Sequence, residues 1–223
     1  MQSRTYVLAV DIGQSNDYTA VVVLDSYKIN TSGSEWPSDR KLERRHDLVH
    51  AERFRDLSYP AQIARIRERY DELKRIAGNQ RGATVRVVVD ATGVGKPVLD
   101  ALREGGVKPL TGVIITGGDA VSHGDGVKRV PKRVLVSSLQ VALQAKRLQI
   151  AESLPLAETL LSEFRAFKVK ISLTGHARFG NDVGAWREAD HDDLVLATAL
   201  GVWTLESNKA PSIDAIRRAA GLR

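Results

Sequence analysis

The chain has 223 residues, 43% hydrophobic and 27% charged, a balance suited to a globular protein with one sizeable core. It contains no cysteine, which excludes disulfides, thiolate metal sites and a cysteine nucleophile, so any metal must be held by oxygen or imidazole. An excess of 33 Lys and Arg over 27 Asp and Glu favours polyanionic partners. Met1-Gln2-Ser3-Arg4 lacks a signal-peptide core and no apolar run nears the ~20 residues of a membrane helix, which points to a cytoplasmic protein that meets no membrane.

In chain order, residues 5 to 11 and 18 to 25 are β-branched runs separated by Gly13-Gln14-Ser15-Asn16, the pattern of an antiparallel hairpin. Lys28 to Arg45, with Ser32-Gly33-Ser34 and Pro37, reads as a long loop, and residues 47 to 54 as a third strand completing a meander. Pro60 opens a helix with Ile63, Ile66, Tyr70, Leu73 and Ile76 inward, ended by Gly78. Strand 84 to 90, a short helix begun at Pro97 and ended at Gly105-Gly106, and strand 110 to 115 make a β-α-β unit with parallel strands. The glycine-rich stretch Thr116 to Gly126 reads as a mobile loop.

Helix 131 to 147 carries Leu135, Leu139, Val141 and Leu143, a second helix runs from 155 to 168, and a short hairpin-like stretch follows it. The last helix, 192 to 206, is apolar through Leu194 to Trp203, and the polar, basic residues after Asn208 read as a loosely held tail. One domain over 1 to 208 and a tail over 209 to 223 is the expected organisation.

Three aspartates stand at element ends: Asp11 closes Tyr6-Val7-Leu8-Ala9-Val10, Asp90 closes Val85-Arg86-Val87-Val88-Val89, and Asp193 follows His191-Asp192 at the head of the last helix. Taken singly, Asp11 before Gly13 and Asp90 before Thr92-Gly93 are ordinary turn residues, and Asp192 or Asp193 an ordinary helix cap of about 1 kcal/mol. Taken together, in an α/β fold with a meander, a β-α-β unit and closing helices, they converge on one sheet edge. Ala197, Thr198, Ala199 and Gly201 are small enough to bring the last helix close to the sheet. That layout is the ribonuclease H-like fold, a mixed sheet of antiparallel and parallel strands flanked by helices. Three or four carboxylates on rigid elements suit two hard divalent cations, Mg2+ or Mn2+, which prefer carboxylate oxygen and together hydrolyse phosphodiesters.

With Ala9-Val10-Asp11-Ile12-Gly13 and Asp17-Tyr18-Thr19-Ala20, Val88-Val89-Asp90-Ala91-Thr92-Gly93, Val130-Pro131-Lys132 before a long helix, and His191-Asp192-Asp193-Leu194-Val195 with Ala197 and Ala199, the chain resembles the nuclease domain of phage terminase large subunits. The likeness spans residues 5 to 206. It implies an endonuclease that cuts double-stranded concatemeric phage DNA during packaging, in the cytoplasm of the bacterial host, using two divalent cations. It makes Asp11 the bridging metal ligand, Asp90 the second and Asp193 the third, these three being the catalytic residues. Asp192 is the alternative to Asp193, because only one of two adjacent helical residues readily faces the sheet. His191 either orients a carboxylate or the phosphate or is a solvated bystander, and Asp17 is read as structural. By the same resemblance the partners are an ATPase motor domain, the small terminase and the portal.

Complete large subunits carry the motor on the N-terminal side, but Thr92-Gly93-Val94-Gly95-Lys96-Pro97 is not its phosphate loop. That pattern needs Gly where Asp90 stands and Ser or Thr where Pro97 stands. An excised domain or a stand-alone relative, which cuts DNA without pumping it, is therefore expected.

Between Gly126 and Ala151 the basic residues Lys128, Arg129, Lys132, Arg133, Lys146 and Arg147 meet no acid in the sequence, and Arg165, Lys168, Lys170 and Arg178 form a second such stretch. Either tracks phosphates or is a solvated face. Lys128, Arg129, Lys132 and Arg133 are the candidate DNA contacts, Lys132 foremost, and no recognition helix is evident, so little base reading is expected. A Holliday-junction resolvase shares the fold and the acids, and a catalytically inactive ribonuclease H-like interaction module is the non-enzymatic alternative. Sugar-kinase and actin-like ATPases also begin with Asp-Ile-Gly and a hairpin, but need a second lobe for which the chain is too short.

Overall fold

The computed structural model describes residues 4–13, 17–34, 36–93, 95–151, 153–166 and 192–207. Strand β1 (Thr5–Asp11) sends Tyr6, Leu8 and Val10 into one core and Val7 and Ala9 into another, and all five are buried. A strand apolar on both faces must lie inside a sheet covered on both sides, and β1 does. It pairs antiparallel with β2 (Thr19–Asn30), which pairs antiparallel with β3 (Leu42–Phe54). On its other flank it pairs parallel with β4 (Thr84–Asp90), followed by β5 (Leu110–Thr116) and β7 (Val127–Pro131), both also parallel.

The short strands β6 (Ser122–Gly124) and β8 (Leu148–Ile150) close the two edges, giving a mixed eight-stranded sheet in the order β6-β7-β5-β4-β1-β2-β3-β8. Helices α1 (Tyr59–Gly78) and α2 (Gly95–Glu104) cover the Tyr6, Leu8 and Val10 face. Helices α3 (Lys132–Gln144), α4 (Ala157–Ala166) and α5 (Asp193–Ser207) cover the other. This is the ribonuclease H-like arrangement expected from the sequence.

Helix α5 is buried all round from Leu194 to Leu205, apart from Leu196, which explains its lack of a polar stripe. Its closeness to the sheet depends on Gly201: a Cβ there would lie 2.5 Å from Leu24 Cδ1 and 3.2 Å from Ala9 Cβ. The other helices follow the 3.6-residue period more strictly than the sequence reading did. On α1 the inward stripe is Ile66, Tyr70, Leu73 and Ala77, while Ile76 is exposed. On α3 Leu135, Val136, Leu139 and Ala142 face inward, and Val141 and Leu143 are exposed instead of packed. Helix α2 begins at Gly95, two residues before Pro97.

Two segments read as loops are paired strands in part. The two ends of Lys28 to Arg45 belong to a long hairpin, because β2 runs on to Asn30 and β3 starts at Leu42, while 31–41 connect them as a loop around a 3-10 turn (Pro37–Asp39). Polar residues suffice there because the arm runs past the part of the sheet that needs an apolar core. Ser122–Gly124 pairs with Val127–Pro131 across a tight turn whose two central residues, Asp125 and Gly126, both have positive φ, at 53° and 75°, as a two-residue hairpin loop requires. The helix expected over 131 to 147 ends at Gln144, and residues 148–150 beyond it form strand β8. The expected hairpin after residue 168 and the tail 209–223 lie outside the described residues. Among the described residues no helix is long and apolar enough to cross a membrane.

Candidate active site

Strand alternation and register bring the first two aspartates together. Asp11 shares a face with Val7 and Ala9, Asp90 with Val88, and in the parallel pairing of β1 with β4 Asp11 is the register partner of Asp90. Both therefore stand at the carboxyl ends of adjacent strands, on the face covered by α5. The Asp90 carboxylate is buried, and its Oδ1 accepts the Thr92 backbone N–H at 2.7 Å. Thr92 Oγ1 in turn accepts the Ile115 N–H at 2.8 Å. The turn after β4 is thus a support that orients Asp90 and ties it to β5.

Helix α5 delivers Asp193 as its first residue, with Oδ2 buried, and Asp192 immediately before it. Asp192 Oδ2 pairs with Lys132 Nζ at 3.1 Å, so the first residue of α3 closes the cluster from the side. Asp11 registers the convergence of all these groups. Its carboxyl is held well above the ordinary carboxylate range, first by burial and then by the charges of Asp90, Asp193 and Asp192, with Lys132 opposing. Adjacent carboxylates on rigid elements repel one another, and that repulsion is what a bound cation relieves.

The donor set is all carboxylate oxygen, which suits hard divalent cations better than soft ones. As the side chains stand, no group of three carboxylates or imidazoles among the described residues is gathered around a single point closely enough to hold an ion. The chemistry fits such a group; the final approach of the ligands would accompany its binding.

The sequence reading missed Glu163. On α4 it is buried beside Leu160, and its Oε2 accepts the backbone N–H groups of Leu194 and Val195 at 3.0 and 3.1 Å, capping the helix that carries Asp193. Its Oε1 accepts from Arg53 on β3 at 3.2 Å. Burial pushes this carboxyl up to about 7 against the Val195 N–H, the Asp193 charge adds to the rise, and Arg53 and the Leu194 N–H resist it. The available signal was an acid on the inward stripe of an amphipathic helix, three residues after Leu160.

The basic candidates are all engaged, by partners the linear sequence does not announce. Besides the Lys132 pair, Lys128 Nζ lies 5.2 Å from the centre of the Trp203 ring, Arg129 pairs with Asp125 at 3.3 Å, and Arg133 pairs with Asp119 at 2.8 Å. Arg147 is held by Glu206 at the far end of α5, at 3.0 Å. Asp17 is exposed. His191 and the basic residues Lys168, Lys170 and Arg178 lie outside the described residues.

Residues 8–203 match the model of the family described as the terminase RNaseH-like domain. Among solved structures, the large terminase nuclease from thermophilic phage G20c matches at 21% identity and a TM-score of 0.47, covering 90% of this chain and 82% of that one. The human cytomegalovirus terminase nuclease domain, soaked with Mn, matches at 12% identity and a TM-score of 0.49, covering 96% and 85%. No curated protein sequence matches the chain. Since the family model extends over most of the sequence, from the middle of β1 to the last turns of α5, this chain belongs to the terminase RNase H-like domain family.

Proposed function

We propose that this chain is a divalent-metal-dependent endonuclease that cuts double-stranded, concatemeric phage DNA during genome packaging, with little sequence preference. The observation that carries the reading is the in-register pair Asp11 and Asp90 facing Asp192 and Asp193, four carboxylates close enough that the last three all raise the affinity of Asp11 for its proton. Asp11, Asp90 and Asp193 would hold two Mg2+ or Mn2+ ions, with Asp192 exchanging between Lys132 and an ion. Two such ions, when bound, supply Lewis-acid activation of water and charge neutralisation at the departing 3′ oxygen.

The chain's own part is positional. Asp11 and Asp90 are fixed by the sheet, Asp90 further by the Thr92 turn, and Asp193 by the Glu163 cap on α5, so the ligands are preorganised on rigid elements. Lys132, once released from Asp192, offers a cation to the phosphate being attacked, while Lys128, Arg129 and Arg133 hold the backbone nearby. Choice of the cutting site, and the ATPase motor, small terminase and portal functions, belong on this reading to other domains and proteins. Residues 1 to 208 form the cutting domain and 209 to 223 a basic appendage.

The test is plasmid digestion with Mg2+, Mn2+ or EDTA by the wild type and by Asp90→Ala and Asp193→Ala. Cutting that needs a divalent cation and is abolished by either substitution is the expected result. Undiminished cutting by either variant removes the proposed site, and an inert but DNA-binding wild type favours the interaction-module alternative.

A further inference from the structure

We propose that Tyr18, Arg53 and Arg55 form a second phosphate-binding lip, on the β2–β3 side of the carboxylates and opposite the Lys132 side. The proposal rests on the reading of the chain as a DNA nuclease, and extends it to two arginines that no sequence pattern singled out.

The row of register partners that contains the two aspartates continues across the sheet: Asp90 pairs with Asp11, Asp11 with Ala20, and Ala20 with Arg53. Partners in a row share a face, so Arg53 lies on the same face as the carboxylates, two strands from Asp11, or about 10 Å at the usual strand spacing. A bulge makes this possible. The β2–β3 register shifts between Val23 and Leu24, leaving Val49 as the extra, exposed residue, so that Leu48 and Ala51, three residues apart, both enter the core under α5. Without it Arg53 would point to the α1 side.

Tyr18 is built into the same spot. A Cβ on Gly13 would lie 2.5 Å from the Asp17 and Tyr18 backbone, so glycine is what lets the chain return tightly over the end of β1. Thr19 Oγ1 accepts the Gly13 N–H at 3.0 Å and locks that return. The Tyr18 ring then carries two guanidinium groups, Arg53 at 4.2 Å and Arg55 at 5.1 Å from its centre. Arg53 is committed on one side to Glu163. Among the described residues the carboxylate that pairs with Arg55 is the solvent-exposed Asp56 next to it, at 3.4 Å, and the arginine side chain is half exposed.

Two cations held beside one ring repel each other, and a phosphate accepting the forked contact that guanidinium makes would relieve that repulsion. A strand whose reacting phosphate sits at Asp11 would bring one of its next phosphates to this lip. Cations on both flanks of the carboxylates would hold the backbone on either side of the cut.

The test measures equilibrium binding of a fluorescent duplex in EDTA, across a salt series, for the full chain and for Arg55→Ala, Arg55→Glu, Tyr18→Phe, Tyr18→Leu and Lys132→Ala. Thermal midpoints serve as the control for folding. Loss of one phosphate contact is expected to weaken Arg55→Ala binding about eightfold at 0.1 M salt and to flatten the log–log salt slope by about one. Arg55→Glu should be weaker still, Tyr18→Phe should bind like wild type because it keeps the ring, and Tyr18→Leu should match Arg55→Ala. Wild-type affinity and slope in both Arg55 variants, alongside a weakened Lys132→Ala, overturns the lip and leaves the nuclease reading standing. A wild type that binds no duplex overturns both.

Discussion

Lys132 Nζ and Asp192 Oδ2, 3.1 Å apart, join the start of α3 to the residue preceding α5 and place one cation against four carboxylates. Removing that cation leaves the repulsion unopposed. Lys132→Ala is expected to cost about 1 kcal/mol, or about 2–4 °C in thermal midpoint for a chain of this size, when measured in EDTA at pH 8. Added Mn2+ should narrow the gap, because the ion takes over the neutralising role. An unchanged midpoint in EDTA would mean that the pair does not hold the cluster together.

Asp90→Asn keeps an oxygen that can accept the Thr92 N–H and removes one charge from the cluster. Its cleavage rate should drop more than about 100-fold, since a ligand is a stronger requirement than an outer partner worth 10–100-fold. In EDTA at pH 8 the same variant should melt a few degrees above wild type, and Mn2+ should stabilise it less. Loss of activity with loss of stability would instead mark Asp90 as a structural turn residue.

The pH dependence of the metal-free protein has a sign that distinguishes this site from an ordinary core. Glu163 is raised from its ordinary 4.5 to about 7, and Asp11 moves in the same direction. The native state therefore keeps protons that the unfolded chain has released, and stability falls as pH rises from about 4.5 to 7. For Glu163 the change is on the order of 3 kcal/mol. Glu52 behaves oppositely: burial would raise it, but the His50 imidazole 3.5 Å away, hydrogen bonds from Arg65 and the charge of Arg69 hold it at about 2, so its contribution is lost as pH falls below 4.5. Thermal midpoints in EDTA should peak in mild acid, between about pH 4 and 5. Glu163→Gln should flatten the decline on the neutral side, and a midpoint that climbs steadily to pH 7 would contradict these assignments.

Gly201→Val places branched carbon where one Cβ already meets Leu24 at 2.5 Å and Ala9 at 3.2 Å. Overpacking of this kind costs typically 1–3 kcal/mol, and denaturant unfolding should register it. The substitution also pushes α5 off the sheet, so cleavage should fall even where the protein remains folded and saturated with Mn2+. Wild-type cleavage by a destabilised Gly201→Val protein would show that the distance of α5 from β1 does not set the activity.

Much of this architecture was readable in the chain because it is local. The apolar runs Tyr6 to Val10 and Val85 to Val89 announced strands, and Asp11 and Asp90 stood at their ends. The unbroken apolar run of α5 and its small residues announced a helix pressed to the sheet. Strand β8, three residues long, and the hairpin of Ser122 to Pro131 were not readable, because pairing and a turn with two positive φ angles define them, not apolar pattern.

By itself, then, the sequence determined the long strands and helices, the element end at which each aspartate stands and the chemistry that carboxylates without cysteine permit. Only the tertiary structure decided what meets them. Glu163 reaches the head of α5 across a sequence separation of 31 residues and Arg53 reaches Glu163 across 110. A single extra residue at Val49 turns Arg53 to the carboxylate side. Periodicity records which way a side chain points along its own element, whereas contacts between elements depend on register, and one residue of slip reverses a face without changing the composition.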